Sequence, residues 1–478
     1  MWWQTANRAD QLKPPPTTSP ASELTQKVHQ MTVVNRPQPR HAATPPCTSA
    51  STTPEKMLAG APALIIGLSA LIALMVFRTL HQPEDHALRW RVPLDLEIYR
   101  MGGQALLRGE NLYDKAYIFD LPFTYPPFAG VLFTSFAYLT DNAFIILWQI
   151  GMLAALAAII ALVFRERGFK LTPLTLLVCA LLSCASIGNE AVHGTLFFGQ
   201  INIFLMLLVA LDILPARWRL PGIGIGIAAG LKLTPAYMGL VLLFQKRWWA
   251  AVISVLTFFA TVIIGFAFVP DARHFWEHAM FDSSRVGSSE NTGSKSVLSV
   301  MQRTFGLEGG TVWILSVIVI FVFTCLALRT AMLRNNRSMA FALTGISSCL
   351  VSPFSWYHHF VWLVPLSMVL FIAVNEWAAD RFGASFNGTL AGLSSLAAIV
   401  CFHIPFVSYP VWRAMSSRGI DELSQTTPWL GTIWTTLCLL FIVGYAIFGF
   451  TPRGNGVRST SSRPKGIGLA EEGSAAAE

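Results

Sequence analysis

The chain is poor in charge, so the few ionisable residues in unusual places carry most of the chemical information. Asp95 and Glu97 lie in "PLDLEIY", shortly after the first long apolar run. One carboxylate held near a bilayer is what a general base needs to take a proton from an attacking hydroxyl. The two acids do not form an obvious pair, because residues two apart diverge on a helix and share a side only on an extended segment. Asp95 is therefore the first candidate, with Glu97 and Arg100 behind it as substrate-binding residues. The alternative is a solvated loop acid. Against it, "LEIYRMGGQALLRG" suits a short helix lying along a membrane interface, with Asp95 held at its start.

Other residues offer the complementary charge. Lys232 interrupts an apolar segment, where a lysine costs roughly 2.5–3.5 kcal/mol on insertion scales, so it is expected to face a cavity or an anion such as a phosphate. Arg303, with Arg285 and Lys295 nearby in sequence, supplies charge of the kind a departing phosphate needs. Tyr125 sits in the aromatic, proline-rich "LPFTYPPFAGVLF" and belongs either to an interfacial belt or to the rigid wall of a substrate groove. Gln200 and Asn202 begin an apolar run and either bridge helices or meet substrate. His358 and His359 are adjacent, and so point differently and make a poor metal site. One of them is instead expected to bind a phosphate or a sugar hydroxyl. All but one of the seven cysteines fall in apolar runs without zinc-ligand spacing, so neither a metal nor a disulfide framework is expected.

The elements that must position these residues are membrane helices. Over 478 residues the chain is 53% hydrophobic and 13% charged, with mean hydropathy +0.53. Apolar runs near span length recur throughout, which makes an all-α polytopic membrane protein. Spans are expected at about 57–80, 143–164, 172–188, 200–214, 248–269, 311–332, 338–354, 359–374, 386–407 and 428–450. The net charge of +8 gathers at the ends of these runs and in the tails, a topology signal that does not point to nucleic acid. Residues 1–56 and 451–478 read as disordered tails.

Short basic loops at 165–170, 216–219, 245–249 and 329–337 are expected in the cytoplasm. Residues 221–244 have a basic loop at both ends, so a single crossing would put one loop outside. A broken hairpin turning near "KLTP" resolves the conflict, with Pro235 disfavouring helix at Thr234. If 126–140 also dips without crossing, the 81–125 loop, 193–202, the 270–310 loop and 352–359 all reach the outer side. The tails are then cytoplasmic and the site extracytoplasmic. No Walker A motif, nucleotide-sugar Asp-x-Asp on a soluble domain, G-x-S-x-G elbow or HExxH is present, and no internal repeat of spans marks a transporter.

"LDLEIYRMGGQALLRGENLYD", "LPFTYPPFAGVLF", "FGQINIFLMLLVALDI", "GIGIAAGLKLTPAYMGLVLL" and "SPFSWYHHFVWLVPL" follow one another in this order. Together they resemble the polyprenyl-phosphate-mannose-dependent α-mannosyltransferases of mycobacteria and corynebacteria, over roughly residues 57–450. That family is of the GT-C class and builds phosphatidylinositol mannosides and lipomannan. The resemblance implies a GT-C transmembrane catalytic domain over 57–450, with about 11–13 membrane helices and interfacial helices in the first outer loop. It implies Asp95 as catalytic base and places Lys232, His358 and His359 near the cavity. One departure stands out: Ser294-Lys295-Ser296 occupies the place where relatives carry Asn-Gln-Ser. The expected activity is inverting, metal- and cofactor-independent transfer of mannose from a polyprenyl-phosphate-mannose donor to a glycolipid acceptor at the plasma membrane. An arabinofuranosyltransferase of the same architecture and a lipid-linked-sugar flippase are the alternatives.

Overall fold

A computed structural model describes residues 53–81, 91–215, 221–288, 291–307, 309–403, 406 and 432–450. The expected tails lie largely outside these residues, as do the basic loop 216–219 and part of the first outer loop. The described chain is helical apart from one two-stranded hairpin, and it is an all-α polytopic membrane protein. In order, the helices are α1 (Thr53–Ala59), α2 (Ala61–His81), α3 (Leu94–Leu107), α4 (Pro127–Phe133), α5 (Asp141–Glu166), α6 (Pro173–Ala185), α7 (Glu190–Phe198), α8 (Asn202–Ile213) and α9 (Ile223–Leu231). They continue as α10 (Gly239–Phe244), α11 (Trp248–Phe268), α12 (Ala272–His274), α13 (Val297–Phe305), α14 (Gly310–Leu333), α15 (Arg337–Val351), α16 (Leu363–Phe382), α17 (Gly388–His403) and α18 (Ile433–Phe448). The hairpin pairs β1 (Ala116–Ile118) with β2 (Leu121–Pro122).

Four of these helices, α5, α11, α14 and α16, are long and apolar enough to cross a membrane alone, and seven shorter apolar stretches lie among them. In α11 and α14 few residues are buried inside the protein, and Phe259, Ile263, Ile314 and Val319 stand exposed. Such faces are stable only against hydrocarbon. In contrast, α15 is buried nearly throughout and forms the centre of the bundle.

Polar contacts gather the helix ends into two opposite sets. At one end, Glu166 at the close of α5 accepts from Ser338 Oγ (2.7 Å) and Arg337 N (3.1 Å) at the start of α15. Arg167 pairs with Glu376 of α16 (3.2 Å), and Arg337 donates to Pro215 O beyond α8 (3.1 Å). The described basic loops 165–170, 245–249 and 329–337 all meet at this basic end. Asp212 of α8 holds the next segment there: its carboxylate accepts Gly222 N (2.9 Å) and Ile225 N (2.8 Å), and its carbonyl accepts Arg247 (2.6 Å).

Residues 222–247 thus begin and finish at the same end, as the hairpin expectation requires. Gly222, Gly226 and Gly230 lie against Ala250, Thr257 and Thr261 in turn, so α9 rises alongside α11 in parallel with it. Small residues at this spacing let two backbones approach closely. Gly222 has φ +90°, and any Cβ there would meet Ala250 O at 2.0 Å. The rising helix stops at Lys232, which is extended, and the chain returns through a 3-10 turn (Thr234–Met238) and α10.

The segment 126–140 likewise begins and finishes at one end of the bundle. It starts beside Gly265 near the far end of α11 and closes at Asp141, which pairs with Arg100 of α3 (2.6 Å). α3 therefore marks the opposite end of the bundle. It buries Leu96, Ile98, Tyr99 and Ala105 and has Asp95 and Glu97 in its first turn.

Candidate active site

Asp95 owes its place to three local features. Pro93 is extended and precedes the helix, so α3 starts abruptly and the carboxylate sits in the first turn, where the helix dipole favours negative charge. The chain around Gly199 then brings a partner to it. This glycine ends α7 at φ +74°, and α8 leaves at 118° to α7. A Cβ at Gly199 would meet Leu96 Cβ at 2.6 Å and Pro93 Cβ at 2.9 Å. That close approach sets Gln200 beside Asp95, and Gln200 Nε2 donates to Asp95 Oδ2. Burial pushes the Asp95 carboxyl up to about 6, against the opposing effects of the Gln200 hydrogen bond and the Lys232 charge.

Behind Gln200 stand two phenols. Tyr125 OH donates to Gln200 Oε1 (2.8 Å), Tyr99 OH lies 2.7 Å from Tyr125 OH, and Tyr99 also reaches Gln200 Oε1 at 3.3 Å. Burial and neighbouring Tyr125 and Asp95 push Tyr99 up; burial and Asp95 do the same for Tyr125, so both remain protonated donors. Tyr113 OH pins the Tyr125 carbonyl (2.8 Å).

Lys232 reaches the same place from the hairpin break. Its ammonium donates to Asn202 Oδ1 (3.0 Å) and to His359 Nε2 (3.1 Å), and lies 5.5 Å from the Tyr125 ring centre. Asn202 in turn donates to His358 O (2.9 Å). Burial and the Lys232 charge hold both histidines well below their ordinary range, hence neutral. His358 is 3% exposed and neither of its ring nitrogens has a hydrogen-bond partner among the described residues. Its ring lines the cavity, where it can meet water or a bound ligand.

Asp95, Tyr99, Tyr125, Gln200, Lys232, His358 and His359 all line one cavity of about 770 Å³, and Arg285, Tyr237, Phe354 and Trp356 complete its walls. Asn202 stands just behind Lys232. Three further sequence candidates also lie outside it. Glu97 and Arg100 pair with each other (2.6 Å), and Arg100 also holds Asp141; they bind α3 to the start of α5 rather than face the cavity. Glu97 points away from Asp95 because α3 is helical from Leu94 onward. Arg303 donates to the carbonyls of Asn291 (2.8 Å) and Ser294 (2.8 Å) and knits the outer loop. The cation of that loop that does line the cavity is Arg285, whose Nη2 reaches Tyr113 O (3.4 Å) and Phe123 O (3.3 Å).

Tyr99 was not singled out by sequence, although its spacing of one helical turn from Asp95 was a usable signal. The Ser294-Lys295-Ser296 stretch is structural: Ser294 bridges to Trp356, Ser296 caps α13, and Lys295 Nζ donates to Thr292 O (2.7 Å). Among the described residues, no group of three or more His, Cys, Asp or Glu could hold a metal ion.

The family model of glycosyltransferase family 87 matches residues 123–353, which carry most of this cavity. A polyprenol-phosphate-mannose-dependent α-(1-2)-phosphatidylinositol pentamannoside mannosyltransferase of Mycolicibacterium smegmatis is 33% identical over 58% of this chain and 69% of its own. A polyprenol-phosphate-mannose-dependent α-(1-2)-phosphatidylinositol mannoside mannosyltransferase of the same organism is 30% identical over 79% of this chain and 91% of its own. Its namesake from Mycobacterium tuberculosis is 28% identical over 78% and 89%. No solved structure gives a significant match.

Proposed function

The chain belongs to glycosyltransferase family 87, and on that footing we propose that it transfers mannose from polyprenyl-phosphate-mannose to a phosphatidylinositol mannoside, forming an α-(1→2) linkage. The observation that carries this reading is a buried carboxylate, Asp95, sharing a cavity with two cations, Lys232 and Arg285, and with the imidazole of His358, while the cavity's other carboxylate, Asp282, lies exposed in the outer loop and bonds Ser284. A base and a set of anion-binding groups around one space suit a displacement at a sugar carbon bearing a phosphate.

Asp95 takes the proton of an acceptor hydroxyl as its oxygen attacks the anomeric carbon. The bond between that carbon and the phosphate oxygen breaks, and the electron pair leaves on polyprenyl phosphate. Attack from the face opposite the phosphate inverts a β-mannosyl donor to an α-mannoside. Lys232 and Arg285 meet the charge that grows on the phosphate, and cations of this kind contribute about 10²–10³ in rate. His358 and His359 offer nitrogens to the donor phosphate or to sugar hydroxyls. The lipid tail remains among the helices, in the bilayer. With the basic loops in the cytoplasm, the cavity opens to the outer side of the plasma membrane.

The test is sugar transfer by the purified protein in bilayers, with labelled polyprenyl-phosphate-mannose and a phosphatidylinositol mannoside acceptor. Wild type is expected to transfer and Asp95→Asn to lose at least about 10²-fold in turnover. Full turnover by Asp95→Asn removes the base assignment, and transfer only from an arabinose donor changes the sugar.

A further inference from the structure

Only one oxygen of the Asp95 carboxylate is held. Oδ2 accepts the Gln200 amide, while Oδ1 has no hydrogen-bond partner among the described residues and is not among the buried unpartnered atoms, so it is open to the cavity. A primary amide can present either its oxygen or its nitrogen, and the wrong face would set two lone-pair-bearing oxygens against each other. Here the oxygen is already engaged. Tyr125 OH donates to Gln200 Oε1, and Tyr99 OH is in reach of both. Both phenols are buried, and Tyr99 is stacked on Phe133 at 4.6 Å, so neither can turn away without displacing packed rings.

We propose that Tyr99 and Tyr125 are positioning residues: they orient the Gln200 amide so that its N–H always meets Asp95 Oδ2, which leaves Oδ1 as the oxygen that takes the proton. This inference rests on Asp95 being the base. The chain runs in one direction, Tyr99 to Tyr125 to Gln200 to Asp95, and its members come from three places in the fold: α3, the segment before α4 and the turn after α7. Other charged or titratable groups share the cavity or act on the carboxylate: Lys232 from the hairpin, Asp282 and Arg285 from the outer loop, and Tyr357, His358 and His359 from the loop before α16. None of these touches the Gln200 amide, so removing the phenolic hydroxyls isolates the amide's effect.

The test is the pH profile of kcat/KM for Tyr125→Phe, Tyr99→Phe and the double variant, in bilayers, beside wild type and Asp95→Asn. Wild type is expected to lose activity as pH falls through about 6, where Asp95 takes up a proton. An amide free to flip no longer favours the ionised carboxylate, so in the variants this acid limb moves to higher pH. Each single variant retains one phenol on Oε1 and loses about three-fold at pH 6, whereas the double variant loses more than the product of the two. A merely structural role lowers the rate alike at every pH and leaves the limb where it was, and that result overturns the proposal. Should the double variant not fold, the limb of Tyr125→Phe decides in the same way. An inactive Asp95→Asn with unmoved limbs defeats only the positioning chain, whereas an active Asp95→Asn defeats the base assignment beneath it.

Discussion

Arg285 and Arg303 sit eighteen positions apart in one loop and carry the same charge, yet only the first lines the cavity. Arg303 spends its donors on loop carbonyls, and burial pushes it down to about 10. Arg285→Gln is therefore expected to lower kcat by about 10²-fold with little change in thermal stability. Arg303→Gln is expected to lower stability by about 1–3 kcal/mol, through carbonyls left unmet, and to affect kcat much less. Turnover and thermal unfolding measured on both variants separate the two roles, and the opposite pattern would return Arg303 to the site. Composition alone could not rank these two arginines, because nothing in the spacing of loop residues says which side chain turns inward. Asp95 stands out in the sequence because it is a carboxylate expected at the start of a helix lying close to the bilayer in a chain poor in charge. Its tie to Gln200 could not be read there, because the two are 105 positions apart and meet only through the turn at Gly199.

Among the elements, the hairpin of α9 and α10 shows what a sequence does reveal at distance. Two basic loops on either side of an apolar segment argue against a single crossing, and the described residues 222–247 do begin and finish at one end of the bundle. What the charges left unspoken is how the hairpin is held. Asp212, 3% exposed, caps the rising helix through two backbone N–H groups and accepts Arg247 on its carbonyl, so one residue anchors both feet. Asp212→Ala is expected to destabilise the protein by about 1–3 kcal/mol, since two buried donors lose their acceptor. Because Lys232 rides at the top of the same hairpin, turnover should fall as well, even though Asp212 stands at the far end of the bundle. Asp212→Asn keeps one acceptor oxygen and should fall between. Unfolding temperature and transfer rate, followed together over the three proteins, check this; a stable Asp212→Ala protein with full turnover would show the cap to be dispensable.

At the scale of the whole molecule, the two halves of the proposed chemistry hang from opposite ends. Asp95 is borne by α3, which lies along the site end, while Lys232 is carried at the top of a hairpin whose two feet both rest on Asp212 at the basic end. In a bilayer each end seeks its own water–lipid boundary, and the cost of mismatch is a fraction of a kcal/mol per Å. The spacing between base and cation, bridged through the turn that carries Gln200 and Asn202, is thus an internal length of the site that the thickness of the surrounding hydrocarbon can strain. Reconstitution in a series of lipids of increasing acyl length should give a bell-shaped dependence of kcat on thickness, with donor and acceptor saturating, and a flat response would show the bundle rigid enough to ignore its solvent. The lipid around such an enzyme acts as a gauge block, setting the gap between two jaws that no covalent segment connects directly.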